Sequence, residues 1–524
     1  MENLDHKRKI TIMIAIMSAM LFAALNQTIV GTALPRIVSD LGGIEYFNWV
    51  FTIFMLTSSV TAILVGKLSD IYGRKPFILI GIGIFIVGSL LCGTAGTIIH
   101  LIAYRGIQGL GAGMIMSTAF TAVGDLFSPR ERGRWQGLMG SVFGLASVFG
   151  PTLGGWIVDH IHWKWVFWVF LPFGIIAFLL IVSLFPTTER RPSEKIDYLG
   201  SILITFIIVP VLLAFSWAGN QYEWTSYTIL GLFTASIISL LLFIQVERKV
   251  TSPVLPLDLF KNDIFSLSNG IGFLLGAGMF GTIMYMPFFV QGVIGTSATA
   301  SGLIMMPMTL SMVASSSIIG QYITKTGKYK IFALGGLLLM TAGLISMSFM
   351  SSETSNLVAV MNMIIVGFGL GACFPVFTLT VQNAVSHSNL GVATASTQLF
   401  RQIGGTVGVA VLGSVMTIRM EDKMKELVAG LPPETDRTGL ANFSNPQILM
   451  NPDQLDQAKN SLTPEMLPLF EQLVGTLRES LAFSLTGVFL IGAAIMTIAF
   501  LLTFFLREIP LRHSNNEDKQ AAAE

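Results

Sequence analysis

Long runs of apolar residues, separated by short polar segments, recur along almost the whole chain. Many of these runs reach the roughly 20 residues that an α-helix needs to cross the hydrocarbon core of a bilayer. The pattern predicts fourteen membrane-spanning helices, and therefore an all-α polytopic protein in a lipid bilayer. The predicted spans are 10–34, 46–66, 76–97, 99–123, 136–158, 164–186, 198–218, 226–246, 266–291, 301–321, 331–350, 356–381, 394–418 and 480–506.

Composition supports this prediction and excludes several classes of protein. Of the 524 residues, 52% are hydrophobic and 12% are charged, and the charged fraction is about half that of a typical soluble domain. The only two cysteines, Cys92 and Cys373, both lie in predicted spans, so no disulfide framework is indicated. The sequence has no P-loop, no cluster of metal ligands and no soluble region large enough for an ATPase. We therefore expect no cofactor, no metal and no nucleic-acid partner, and an ion or substrate gradient as the energy source.

Lysine and arginine are unevenly distributed between the two sides of the predicted spans. If the N-terminus lies inside, seven inner segments carry three basic residues each, whereas the six short outer loops together hold Arg36 and Lys164. Basic residues in short loops favour the cytoplasmic side. The sequence therefore predicts a plasma-membrane protein with both termini in the cytoplasm and the long 419–479 segment outside.

Two cytoplasmic loops resemble each other and indicate an internal repeat. The loop Gly66–Lys75 and the loop Gly320–Lys330 both contain a glycine, a second glycine seven positions later and then a basic residue. If spans seven and eight are an insertion, the two loops occupy equivalent positions in two six-span halves. This arrangement resembles the major facilitator superfamily, whose fold it implies. The expected domains are an N-terminal half (1–186), a linker with two inserted spans (187–265), a C-terminal half (266–512) and a cytoplasmic tail (513–524).

The first of these loops resembles the inner gating motif of that superfamily. Glycines allow a sharp turn and close helix contact, and an aspartate can accept hydrogen bonds from an arginine or from a helix N-terminus. The resemblance implies a latch that holds the outward-open state; the alternative is an ordinary basic loop with incidental acids. The latch residues are Gly66, Asp70, Gly73 and Arg74, with Asp125 at the end of span four as a further partner.

Spans one and four carry polar residues at unusual depth. Span one reads Leu25-Asn26-Gln27-Thr28, and span four contains Arg105 and Gln108. Both stretches resemble the 14-span drug:proton antiporters, whose first span usually has an aspartate at the position of Asn26. The resemblance implies that Asn26, Arg105 and Gln108 belong to a proton-coupling site in which asparagine mimics a protonated carboxyl group. The alternative for Arg105 is a side chain that snorkels to the outer interface.

Span five ends in a stretch rich in small residues around a proline. It resembles the antiporter motif that distinguishes exporters from uptake permeases, and its members here are Gly150, Pro151, Gly154 and Gly155. A proline inside a helix bends it, and small residues allow close packing against a neighbour. A kinked helix of no special function is the alternative.

Spans nine and ten are rich in methionine and aromatic residues, which can repack around varied ligands. The candidates for the substrate cavity are Gln27, Met279, Phe280, Met284, Tyr285, Met305, Met306 and Phe374. The alternative for each methionine is lipid contact or helix packing. The C-terminal spans contain no Asp or Glu well inside the bilayer.

Together these features imply a monomeric multidrug exporter that works by alternating access, with amphipathic drug-like substrates leaving as protons enter. Another transporter is the first alternative: an exporter of a lipid, siderophore or metabolite, or a facilitator without proton coupling. A membrane sensor or scaffold that signals through 419–479 is an alternative from a different class. An enzyme is not indicated, because no span carries a nucleophile–base pair.

Overall fold

The computed structural model describes residues 5–41, 46–186, 197–219, 221–296, 298–386, 389–429, 449, 459 and 467–511. These residues form fifteen α-helices. In chain order they are α1 (His6–Leu41), α2 (Phe47–Tyr72), α3 (Arg74–Gly93), α4 (Ile98–Leu126), α5 (Pro129–His160), α6 (Trp165–Trp168), α7 (Leu171–Leu184), α8 (Tyr198–Trp217), α9 (Tyr227–Glu247), α10 (Asp263–Phe288), α11 (Ala298–Thr326), α12 (Lys330–Met347), α13 (Asn356–Ala384), α14 (Leu390–Ala429) and α15 (Leu467–Phe505). A 3-10 turn at Leu257–Lys261 precedes α10, and a π-helical turn at Phe289–Val293 follows it.

Fourteen helical stretches in the described part of the chain are long and apolar enough to cross a membrane. The predicted number of spans and the all-α class are therefore confirmed. The short helix α6 and the helix α7 together form the sixth stretch, and α10 with its π-helical turn forms the ninth.

The helices pack into two groups with separate apolar cores. In the N-half, defined here as α1–α7, aromatic side chains such as Phe22 and Phe85 meet edge to face at 4.8 Å between ring centroids. In the C-half, α10–α15, the larger core contains Met340 and Phe489. Because each half buries its own core, either can move as a body while most of its internal contacts stay intact.

Helices α8 and α9 pack on each other and lie outside both halves. Their apolar cluster includes Ile63 of α2, Ile208 of α8 and Val392 of α14. The Trp224 indole donates a hydrogen bond to the Ser414 hydroxyl on α14, at 3.0 Å. The inserted pair therefore covers the seam where α2 of the N-half meets α14 of the C-half.

The predicted outer segment 419–479 is helical at both ends. Helix α14 continues past the predicted end of its span to Ala429, and α15 begins at Leu467, before the predicted start at 480. Hydropathy marks only the part of a helix that lies in lipid, whereas polar side chains such as the Lys423–Glu426 ion pair, at 3.0 Å, support a helix in water. Apart from Leu449 and Lys459, the rest of the outer segment lies outside the described residues. Residues 187–196 of the predicted linker and the tail 513–524 also lie outside them.

Candidate transport site and inner gate

Asn26, Arg105 and Gln108 meet in the interior of the N-half. The Arg105 guanidinium donates through Nη1 to Asn26 Oδ1 at 3.1 Å and to Gln108 Oε1 at 2.7 Å, and through Nε to the Val50 carbonyl at 3.4 Å. Gln108 in turn donates to the Ser89 hydroxyl at 2.7 Å. Arg105 is 0% exposed, so it does not snorkel to the outer interface.

Two hydrogen-bond donors in this cluster have no acceptor. Asn26 Nδ2 and Arg105 Nη2 are buried and have no hydrogen-bond partner among the described residues. A buried donor without a partner costs roughly 1–3 kcal/mol. The Phe54 ring, 4.1 Å from the Arg105 guanidinium carbon, compensates in part through a cation–π contact. The cluster therefore lacks an anionic oxygen next to the arginine.

The predicted latch residues form a second polar cluster at the end of α2 that the sequence predicts to face the cytoplasm. Arg74 forms buried ion pairs with Asp70 and, at 2.9 Å, with Asp125. Asp70 also accepts hydrogen bonds from the backbone N–H groups of Gly391 at 3.1 Å and Val392 at 3.2 Å, in the first turn of α14. Both partners that the sequence analysis considered for Asp70, an arginine and a helix N-terminus, are thus present together. The helix N-terminus belongs to the opposite half.

Two glycines allow this cluster to form. A Cβ on Gly66 would lie 2.7 Å from the Ala395 Cβ on α14, so only glycine permits this approach of α2 to α14. Gly73 has a φ of 89°, in the left-handed region that favours glycine, and separates α2 from α3.

Helices α5 and α11 also join the two halves, near the same end of the molecule as the Asp70–Arg74 cluster. The Ser316 hydroxyl donates to the Gly137 carbonyl at 3.1 Å, and Gln136 donates to Gln382 at 2.7 Å. Gln382 also donates to the Phe120 carbonyl at 3.2 Å. These contacts lie toward the helix ends that the sequence predicts to face the cytoplasm, so the structure has its two halves joined at that end.

The stretch that resembles the antiporter motif packs α5 on α1, but only in part. The Thr28 hydroxyl donates to the Ala146 carbonyl at 2.8 Å, and a Cβ on Gly150 would lie 2.0 Å from that hydroxyl. Gly154 is buried, whereas a Cβ on Gly155 would meet nothing within 4 Å. Close packing was therefore wrongly expected at Gly155, because the crossing with α1 lies one turn earlier. The helix continues through Pro151.

Two of the cavity candidates lie between the halves. Gln27 donates to the Met55 sulfur at 3.6 Å, and Gln402 of the C-half donates to the same sulfur at 3.4 Å. Phe374 of the C-half lies against two N-half rings, those of Phe120 and Phe143, with centroid distances of 6.3 and 6.2 Å.

Other cavity candidates are part of the C-half interior. Tyr285 is 7% exposed, and its hydroxyl donates to the Val409 carbonyl at 2.7 Å, so it is a packing residue between α10 and α14. Phe280 lies against Gly405, and Met279 and Met305 pack against the C-half core. Sequence periodicity could not show which of these residues pack on the C-half core, because a methionine stripe is equally apolar on either face. Met284 and Met306 have exposed side chains.

Sequence reasoning missed the glutamine pair that crosses the inner gate and the role of Met55 as an acceptor for both halves. A glutamine inside a predicted span is the signal that was available for Gln136, because amide groups in spans seek polar partners. Nothing in the sequence distinguishes Met55 from other methionines. No group of three or more His, Cys, Asp and Glu side chains among the described residues could hold a metal ion.

Comparison with known proteins agrees with this architecture. Residues 16–409 match the family described as the Major Facilitator Superfamily. The chain is 40% identical over 515 residues to the multidrug transporter protein MdtP of Bacillus subtilis (strain 168), covering 96% of this chain and 94% of the relative. It is 32% identical to multidrug resistance protein 3 of the same organism, with 97% of each chain covered.

A solved structure extends the comparison to the fold. The proton:xylose symporter XylE aligns with a TM-score of 0.63 at 12% identity, covering 99% of this chain and all of the symporter chain. At this identity the likeness concerns the fold alone. Sequence match, relatives and fold agree, and the chain belongs to the Major Facilitator Superfamily, a family of transporters rather than enzymes.

Proposed function

We propose that the protein exports amphipathic drug-like compounds by alternating access. The observation that carries this proposal is the joint between the halves, in which Asp70 of the N-half accepts hydrogen bonds from the first turn of α14 in the C-half. Such a joint can break and re-form while each half keeps its own core, as rocking of two repeats around a central site requires. The similarity to MdtP, a multidrug transporter protein, supports drug-like substrates.

We further propose that Asn26, Arg105 and Gln108 occupy the proton-coupling site of this exporter. Asn26 accepts a hydrogen bond from Arg105, as a protonated aspartate would, and it cannot lose a proton. An ion gradient does work only if two protonation states favour different conformations. The present chain is therefore held in one state at this position and couples poorly to protons.

The remaining proposals concern the oligomeric state, the location and the topology of the protein. It is a monomer in the plasma membrane with both termini in the cytoplasm, and α14 and α15 extend into the outer medium.

Cysteine labelling tests this topology. Cysteine introduced at Glu353, in the turn between α12 and α13, should react with an impermeant thiol reagent on intact cells. Cysteine at Thr326, at the end of α11, should not react, and the reverse pattern would contradict the topology.

The test of export is drug movement in proteoliposomes that contain the purified protein. Several chemically unrelated amphipathic dyes should move faster than in protein-free liposomes. Movement of one compound and no other would favour the exporter of a specific lipid, siderophore or metabolite. A sensor or scaffold would move none of them, and that result would overturn the proposal.

A further inference from the structure

Arg401, on α14, differs from the other buried or half-buried arginines discussed above in the polar contacts of its guanidinium. Its guanidinium carbon lies 4.4 Å from the centre of the Phe374 ring. Among the described residues, its guanidinium has no hydrogen bond and no ion pair. The residue is half-buried, so part of its surface is open. Arg105, by comparison, is fully buried and donates to three oxygen atoms.

The position of Arg401 is close to the middle of the membrane and at the interface between the halves. Ten residues of α14 separate it from Gly391 at the inner gate, a distance of about 15 Å along a helix, or half the thickness of the hydrocarbon core. Its partner Phe374 touches the N-half rings Phe120 and Phe143. The guanidinium therefore lies just above the aromatic contact that closes the interface toward the cytoplasm.

The fixed charge around this position is positive. Among the described residues, the buried carboxylates of Asp70 and Asp125 are paired with Arg74 at the gate. The described carboxylates of the C-half lie at or beyond the ends of its helices, such as Glu353 and Glu508, or in the parts of α14 and α15 beyond the predicted spans, such as Glu421 and Glu479. At position 26, where a carboxylate would balance Arg105, the chain has a neutral amide. Among the described residues, a cation at mid-membrane between the halves would meet the positive charge of Arg401 and no unpaired carboxylate.

We propose that the central site of this transporter binds amphipathic organic anions, and that Arg401 pairs with their carboxylate. The inference deepens the proposed export function, on which it rests, by naming the class of substrate. The planar guanidinium suits a carboxylate because it can donate two parallel hydrogen bonds. The Phe374 ring holds the guanidinium from one face and offers its edge to the apolar part of the ligand. Methionine side chains such as Met55 complete an adaptable apolar wall.

The test is a comparison of two dyes that differ in one charge. BODIPY FL carries a free carboxylate on an uncharged fluorophore and is therefore an anion, whereas its methyl ester is neutral. Binding of each dye to the purified protein in nanodiscs of zwitterionic lipid is measured by fluorescence polarisation. A charge-assisted hydrogen bond to arginine predicts that the acid binds about tenfold or more tightly than the ester.

Three variants assign this preference to Arg401. Arg401→Gln should remove the preference and leave binding of the ester within about twofold, whereas Arg401→Lys should keep part of it. Arg419→Gln is the matched control, because Arg419 lies on the same helix, also over a ring, at 4.3 Å from Phe483. That control should keep the full preference. Unchanged ester binding by Arg401→Gln shows that the variant is folded.

Each other outcome separates the alternatives. Equal binding of both dyes to the unmodified chain overturns the inference, and so does a preference for the acid that survives Arg401→Gln. The export function is tested separately, by flux in proteoliposomes. Failure of both dyes to bind also overturns it. Loss of the preference when anionic phospholipid is added to the nanodiscs would assign the site to a lipid headgroup instead of a soluble organic anion.

Discussion

One atom separates the Asn26 amide from the carboxylate that the antiporter branch usually carries at this position. Asn26 Oδ1 already accepts a hydrogen bond from Arg105. Asn26 Nδ2 and Arg105 Nη2, by contrast, are donors that have no acceptor among the described residues. An oxygen in place of Nδ2 would provide an acceptor beside this guanidinium. The gain from a hydrogen bond between charged groups is roughly 1.5–3 kcal/mol, and it is opposed by the cost of burying a carboxylate.

We therefore predict that Asn26→Asp strengthens pH-gradient-driven transport severalfold, with little change in the thermal stability of the protein. The substitution creates a group that can bind and release a proton next to Arg105, and its two charge states interact differently with the guanidinium. The measurement is dye movement in proteoliposomes with and without an imposed pH gradient. Arg105→Ala in the Asn26→Asp background should remove the gain. If the present chain already responds fully to the gradient and Asn26→Asp adds nothing, the coupling site lies elsewhere.

Asp70 links the two halves, because its carboxylate pairs with Arg74 and also accepts hydrogen bonds from the first turn of α14. In Asp70→Asn, the amide NH2 would replace one carboxylate oxygen and face either the Val392 N–H or the Gly391 N–H as a second donor, so the closed inner gate should lose about 1–3 kcal/mol. We predict slower export and unchanged affinity for substrate, measured by flux and by dye binding. Asp258→Asn is the control, because Asp258 forms an exposed pair with Lys261 that contributes little. Loss of substrate affinity in Asp70→Asn would contradict a gating role.

At the scale of elements, hydropathy predicted the number of membrane spans but not the full lengths of the helices or their neighbours. The fourteen spans follow from the length of apolar sequence that a bilayer requires. The extension of α14 to Ala429 depends on polar residues that stay helical in water, and hydropathy does not detect them. The docking of α8 over α2 and α14 depends on which apolar faces meet. A helix that is apolar all round does not show this in its sequence.

The crossing of α5 and α11 is a close contact between the two halves. A Cβ on Gly137 would lie 2.3 Å from the Ser316 carbonyl oxygen, which is too close for the present approach. We predict that Gly137→Ala raises the free energy of the inner-closed state by about 1–3 kcal/mol and so slows export. Cysteine at Ser317, in the same interface, should then react faster with a thiol reagent added from the cytoplasmic side.

Gly335→Ala is the matched control for this crossing, since a Cβ on Gly335 of α12 would meet nothing within 4 Å. It should change neither the export rate nor the reactivity of the cysteine at position 317. Equal behaviour of the two alanine variants would show that the α5–α11 contact does not limit the movement.

At the scale of the whole molecule, the sequence indicated the residues within each half better than the contacts between halves. Asn26, Arg105 and Gln108 could be grouped from the sequence because both stretches resemble the 14-span antiporters and because an arginine inside a span requires polar partners. The pairing of Gln136 with Gln382 could not be found in this way, since it exists only for one relative placement of the two halves. Tyr285 was assigned to the cavity because the sequence does not show which face of α10 meets α14.

The joint between the halves also provides the final prediction, that locking it stops transport. The hydroxyl oxygens of Ser141 on α5 and Ser317 on α11 are 2.9 Å apart across the interface, so cysteines at both positions should form a disulfide on oxidation. The oxidised Ser141→Cys/Ser317→Cys variant should still bind dye, because the central site lies above the lock, whereas its flux should fall to the level of protein-free liposomes. Reduction should restore the flux, and each single variant should be insensitive to oxidant. Full flux through the crosslinked protein would show that the halves need not separate at α5 and α11, and would contradict the rocking mechanism.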